Sequence, residues 1–253
     1  VCAGDVFDRW NAPPELINFA IHHLPVMHAI PGQHDLPHHS YQDIRRSAFW
    51  TLVEAGALKL IEPGVPLVLE DWFRFWGFPW GSDVEPIEKK EPGLDVAVVH
   101  AYIWSSRENA YTGAAKASAL KSWAPRLIGF DVALFGDNHQ PFVSKCSGCL
   151  VFNHGTFFRR HKPDIATKPR VGVLMSSGRV NSIALDCSQD VVDERASESN
   201  GTGVLGRDFL DALESIERDE LDFCQAVEEA LQSPGVSKRT IRTTREIIEH
   251  CRK

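Results

Sequence analysis

The chain contains no apolar stretch approaching the ~18 residues that a membrane-spanning helix needs, and no charged-then-apolar leader opens it. No membrane partner is therefore expected. A disulfide framework is missing too. Six cysteines occur (Cys2, Cys146, Cys149, Cys187, Cys224, Cys251), and only Cys146-Ser147-Gly148-Cys149 are closely spaced. A lone CxxC without a second ligand pair does not make a structural zinc site, so this segment reads as a glycine-bearing β-turn with two thiols. Free thiols without a leader fit a reducing cytoplasm. Positive charge is also scarce, with 27 Lys and Arg against 34 Asp and Glu, a net charge of −7. Residues 1–189 are nearly neutral, residues 190–230 are strongly acidic and residues 231–253 are basic. Bulk charge does not support non-specific nucleic-acid binding; such contact has to come from a local patch or from bound metal ions.

What is present is a chain of 253 residues, 43% hydrophobic and 24% charged, long enough for one large domain and an appendage. The spacing of Leu16, Ile17, Ala20, Ile21 and Leu24 behind Pro14 predicts a helix over 14–24. Val26 to Ile30 reads as a strand, and Asp43 to Ala55 as a helix capped by Asp43 and closed by Gly56. Leu58 to Ile61 and Val65 to Leu69 read as a strand pair around Glu62-Pro63-Gly64. Val96 to Val99 and Val132 to Phe135 have the continuous apolar pattern of strands buried on both faces, with a helical stretch from Ala114 to Trp123 between them. Such alternation implies an α/β domain. Leu150 to Phe152, Val171 to Leu174 and Val180 to Leu185 suggest a second sheet. The expected organisation is a domain over 1–187, a polar linker over 188–206 and a helical segment over 207–253.

Four short motifs stand at the ends of apolar runs: Gly4-Asp5-Val6-Phe7-Asp8-Arg9, Gly32-Gln33-His34-Asp35, the lone His100, and Gly136-Asp137-Asn138-His139. In this order they resemble the GDxxD, GNHD, His and GHxH motifs of the calcineurin-like metallophosphoesterase superfamily. Within it they are most similar to the Mre11/SbcD-type nuclease branch and its phage-encoded relatives. The resemblance covers roughly residues 1 to 185. It implies an α/β fold in which two packed mixed sheets are flanked by helices, here with a helical C-terminal appendage. It also implies a two-metal phosphoester hydrolase, a DNA nuclease, working in the cytoplasm of a bacterial or phage-infected cell.

Phosphoester hydrolysis near neutral pH needs a hydroxide nucleophile, neutralisation of the phosphoryl oxygens and a proton for the leaving oxygen. Two divalent ions ~3.5–4 Å apart supply the first two, and ligands on strand-to-helix loops of one sheet edge suit them. By resemblance Asp5 bridges the ions, Gln33, His100 and Asp137 hold the second, and His139 holds the first. His34 is then the general acid and Asp35 the carboxylate that orients it. Asp8, Arg9, Arg159 and Arg160 are substrate-binding candidates.

The chain departs from the pattern at three points. Gln33 stands in place of Asn, Asp137 in place of the first His of GHxH, and Trp10 in place of the Gly that follows Arg in phosphatase-type sites. The oxygen-rich set favours Mn²⁺, or Mg²⁺, over softer ions. No Asp-x-His precedes Asp5; the expectation is that this opening segment has been lost. Expected partners are nucleic acid as substrate and, through the C-terminal helices, a second copy of the chain or an ATPase. A phosphomonoesterase or protein phosphatase, favoured by Arg9, is the alternative enzyme, and a catalytically impaired scaffold is the alternative from another class.

Overall fold

The structure, a computed structural model, describes residues 1–88, 92–111, 113–158, 167–190, 231 and 237–251. The backbone divides into two compact units, Val1–Val192 and Asp193–Lys253. In the second, the described element is helix α4 (Lys238–Cys251), within the helical segment expected over 207–253. The part of that segment before residue 237 falls outside the described residues except for Leu231, as does most of the linker.

The first unit is mixed α/β. Its largest sheet has six strands in the order β3 (Leu67–Leu69), β4 (Phe73–Phe78), β5 (Leu94–His100), β6 (Val132–Gly136), β8 (Cys149–Asn153) and β7 (Phe142–Cys146). Strands β4, β5, β6 and β8 run parallel, and the two edge strands are antiparallel. β5 is buried along its whole length, as its unbroken apolar run requires. Val96 and Val98 face a cluster with Ala3, Ile30, Ile61 and Phe75. Ala97 and Val99 face the opposite cluster, built with Leu120 and Trp123 of α3 (Leu120–Trp123), Leu127 and Phe130. Each Val or Leu so buried stabilises the fold by roughly 1.5–3 kcal/mol.

A second, two-stranded parallel sheet pairs β1 (Met27–Ala29) with β2 (Leu58–Leu60). Helices α1 (Pro14–His23) and α2 (Ala48–Glu54) cover one of its faces through Ala20, Ala48, Phe49 and Leu52. Beyond its end, Ile30 and Ile61 meet the large sheet at Gly77, where a side chain would run into both isoleucines. The layers therefore run helices, small sheet, large sheet, helix. A separate antiparallel hairpin, β9 (Arg170–Leu174) with β10 (Val180–Ala184), sends Leu174 and Val180 onto the large sheet.

Several sequence expectations change. Residues 41–46 form a 3-10 segment, and α2 starts only after Ser47, whose Oγ accepts from the Trp50 N–H at 3.1 Å. Asp43 is not the cap; it faces Arg46 at 3.6 Å. β2 and β3 are not a pair, because β2 joins β1 and β3 joins β4. β8 belongs to the large sheet, not to a second one. The Cys146–Cys149 turn is as expected: Ser147 and Gly148 both have positive φ, and the two cysteines face each other as free thiols at the end of the β7–β8 hairpin. No helix among the described residues is long and apolar enough to cross a membrane.

The parallel strands begin at a charged anchor. Asp95 accepts from Arg74 Nε at 2.8 Å, Arg74 Nη2 at 2.7 Å and Trp76 Nε1 at 3.0 Å, while its own N–H donates to Asp131 at 2.9 Å. This network fixes the register of β4, β5 and β6 at one edge of the sheet. Their C-terminal ends then fall at the opposite edge.

Candidate metal centre

In a parallel sheet the strand ends and the loops after them lie along one edge, where side chains distant in sequence meet. β5 ends at His100, paired in register with Gly136 at the end of β6. Asp137 follows directly. The segment Cys2–Ala3 runs beside β1 (Cys2 bridges Ala29), which carries Asp5 and the Pro31–Asp35 turn to the same place. Asp5, His100 and Asp137 each offer a ligand atom, and these atoms lie within 4.8 Å of one another. The Gln33 amide ties the group together: Oε1 accepts from His100 Nε2, and Nε2 donates to Asp137 Oδ1 at 3.0 Å.

Glycines make this convergence sterically feasible. A Cβ on Gly4 would overlap the His100 ring, one on Gly32 the Asp5 carboxylate, and one on Gly136 the Ala3 carbonyl. Asp5 (φ 54°) and Asp137 (φ 92°) both occupy the left-handed region, uncommon for residues with a side chain. Backbone strain of this kind persists where the surroundings over-determine it, and it concentrates at functional sites.

His100 is oriented as a ligand would be. Its Nδ1 donates to the Ala3 carbonyl, which turns Nε2 toward Asp5 Oδ2, 3.3 Å away. Burial pushes its pKa down, but the charge and hydrogen bond of Asp5, then Asp137 and the Ala3 carbonyl, outweigh burial and raise it to about 9. Burial likewise raises Asp5, but the His100 charge and hydrogen bond, with His34, overcome this and hold it below the usual carboxylate range. Asp137 is raised, burial being the main cause. In the metal-free protein a proton on His100 thus stands where a cation is wanted between two carboxylates. One imidazole, two carboxylates and an amide oxygen form a donor set suited to a hard or borderline divalent ion. The residues present fit such an ion.

Other expected residues sit differently. Asp35 is fully buried, and its carboxylate accepts from the backbone N–H of Val6 at 3.2 Å, Phe7 at 3.1 Å and Gly32 at 3.0 Å. Burial pushes its pKa up to about 6. It braces the two ligand loops against each other, and no described hydrogen bond joins it to the His34 ring. His34 anchors only its backbone, donating N–H to Asp5 Oδ1 at 3.0 Å, and its ring is exposed at the mouth of the group. His139 is exposed and stands outside the converged set, although its charge acts on Asp137. Asp8 and Arg9 are exposed. Arg159 and Arg160 lie outside the described residues.

Two asparagines that sequence reasoning passed over set the Asp137 loop. Asn138 donates to the carbonyls of Ile103 and Asn109 at 2.7 and 2.8 Å. Asn153 donates to those of Asn138 and Gln140 at 2.8 and 2.9 Å. Both are buried, and their position beside charged motif residues was the only local signal. Trp80 lies edge-on to His100, ring centroids 6.3 Å apart, and closes one side.

No family model and no curated protein matches the chain. Among solved structures, one described only as a crystal structure superposes with a TM-score of 0.43 at 14% identity, covering 68% of this chain and 75% of that one. A likeness at that level carries no argument. The class that fold and site define is thus a mixed α/β protein with an acidic-histidine group able to hold a metal ion.

Proposed function

We propose that the chain is a metal-dependent phosphoester hydrolase of the calcineurin-like type, acting on phosphodiesters and specifically on DNA. One observation carries this reading: Asp5, Gln33, His100 and Asp137, drawn from four separate motifs, meet at one edge of the sheet. The order of helices, small sheet, large sheet and helix supports it, being the layering that the motifs imply. Bound there, divalent ions would activate water and neutralise the phosphoryl oxygens. Asp5 and Asp137 supply the negative charge that holds them, His100 the nitrogen, and Gln33 a neutral oxygen. His34, exposed beside Asp5, hands its proton to the leaving oxygen and regains one from solvent. Asp35 fixes the loop that carries His34.

Mn²⁺-dependent hydrolysis of bis-p-nitrophenyl phosphate, compared with p-nitrophenyl phosphate and a DNA duplex, tests the reading. Turnover of the diester and the duplex above the monoester, abolished by Asp5→Asn, is expected. A protein that binds Mn²⁺ in calorimetry yet hydrolyses none of the three overturns it.

A further inference from the structure

We infer that His154 is a further nitrogen ligand of the same metal centre, brought in from the end of β8. This rests on the metal reading above and extends it to a residue that none of the four motifs contains. Phe135 of β6 pairs with Asn153 of β8, so His154 stands level with Gly136, which is itself paired with His100. The two histidines therefore end one row across three neighbouring parallel strands, with a residue lacking a side chain between them. Strands are ~4.8 Å apart, which puts the two backbones about 10 Å from each other. Two imidazoles reaching inward across Gly136 to a pair of ions ~3.5–4 Å apart span such a gap.

The His154 side chain is held but not satisfied. Its ring stacks on Phe157, centroids 5.2 Å apart and planes 22° from parallel. A Cβ on Gly155 would meet the His139 carbonyl at 2.7 Å, and the Thr156 N–H donates to that same carbonyl at 3.3 Å. The loop is thus tied to the one that bears Asp137. Yet, among the described residues, His154 Nδ1 is buried without a hydrogen-bond partner. Nearly all buried polar atoms find partners, and leaving one without costs about 1–3 kcal/mol. The orphaned His154 nitrogen, in the row that shares a face of the sheet with His100, points to a cation that it can face; Asn153, one residue earlier, faces the other way.

The test titrates Mn²⁺ into the full chain by calorimetry and counts coupled imidazole nitrogens by electron spin-echo modulation. His154→Phe keeps the stack on Phe157 and removes both nitrogens; His154→Ala removes the ring. Both variants should lose one coupled imidazole and bind Mn²⁺ about tenfold or more weakly, while the metal-free melting temperature stays near that of the unmodified chain. If that chain binds Mn²⁺ and the variants match it in affinity, stoichiometry and nitrogen count, the assignment is wrong and the proposed function survives. If the unmodified chain binds no Mn²⁺, both fall together.

Discussion

Raising the pH of the metal-free protein from 6.5 to 9.5 removes one particular proton, the one that His100 holds between Asp5 and Asp137. Its pKa in the folded chain is about 9, against an ordinary 6.5. The folded value is the higher of the two, so the stabilisation is complete below 6.5 and is lost as the pH climbs through 9. A shift of this size corresponds to about 3 kcal/mol, a large fraction of the stability of a typical domain. The depressed pKa of Asp5 is the other side of the same contact and is not counted again. Metal binding runs the opposite way. His100 must give up its proton before Nε2 can serve as a ligand, so Mn²⁺ affinity should rise about tenfold per pH unit between 7 and 9 and then level off. At pH 7 the protein binds roughly 100-fold more weakly than above 9, and binding should release about one proton. Calorimetry in buffers of different ionisation enthalpy measures that proton directly, and chemical melts in chelator follow the stability. An affinity independent of pH from 7 to 9, with no dependence on buffer, would refute the assignment of the proton to His100.

Three substitutions probe the rest of the site. Gly32→Ala sets a methyl group against the Asp5 backbone and the His100 ring, both 2.6 Å from the added carbon; a loss of about 1–3 kcal/mol in chemical melts and of most Mn²⁺ binding is expected. His34→Ala should lower kcat by about 100-fold on a DNA phosphodiester and far less on bis-p-nitrophenyl phosphate, whose leaving group needs no proton; equal losses would point to a positioning role. Asp137→His should move metal preference from Mn²⁺ toward Zn²⁺, and Gln33→Asn in the same chain should change that shift, since the two side chains touch. A preference unmoved in both variants would make Asp137 a loop residue only.

The converging residues were legible because each follows an apolar run, and in a parallel sheet such runs deliver their ends to one edge. The strand between them was not. β4 contains Arg74 within its aromatic run, and locally a charged residue argues against a central strand. Its charge is neutralised by Asp95 from β5, 21 positions away in the chain. The paired reading of Leu58–Ile61 and Val65–Leu69 failed for a related reason. Nearness in sequence suggested a hairpin, whereas long-range packing of Ile61 against Gly77 sends the two strands into different sheets. Asp35 was placed beside His34 because the two are adjacent in the chain. The tight turn closed by the Asp35 N–H to the Gly32 carbonyl at 3.2 Å buries one side chain and exposes the other.

Gln33 and Asp137, two departures from the motifs this chain resembles, form a single feature in the structure. A carboxylate at 137 is shorter than an imidazole and, once ionised, can only accept hydrogen bonds, so a donor has to reach it from elsewhere. The extra methylene of Gln33 lets its amide span both neighbours, Nε2 donating to Asp137 while Oε1 accepts from His100 Nε2. Asparagine at 33, one methylene shorter, is the less suited to making both contacts from the same backbone position. Burial works against the added charge by raising the Asp137 pKa, and the His100 proton and the Gln33 N–H work for it. Replacing that proton with a divalent ion puts two charges where there was one, and the carboxylate at 137 offers the ion a hard oxygen where an imidazole would offer nitrogen. On the proposed metal reading, the pair of changes would shift the site toward harder ions without taking a ligand away, so altering one position alone should disturb the other.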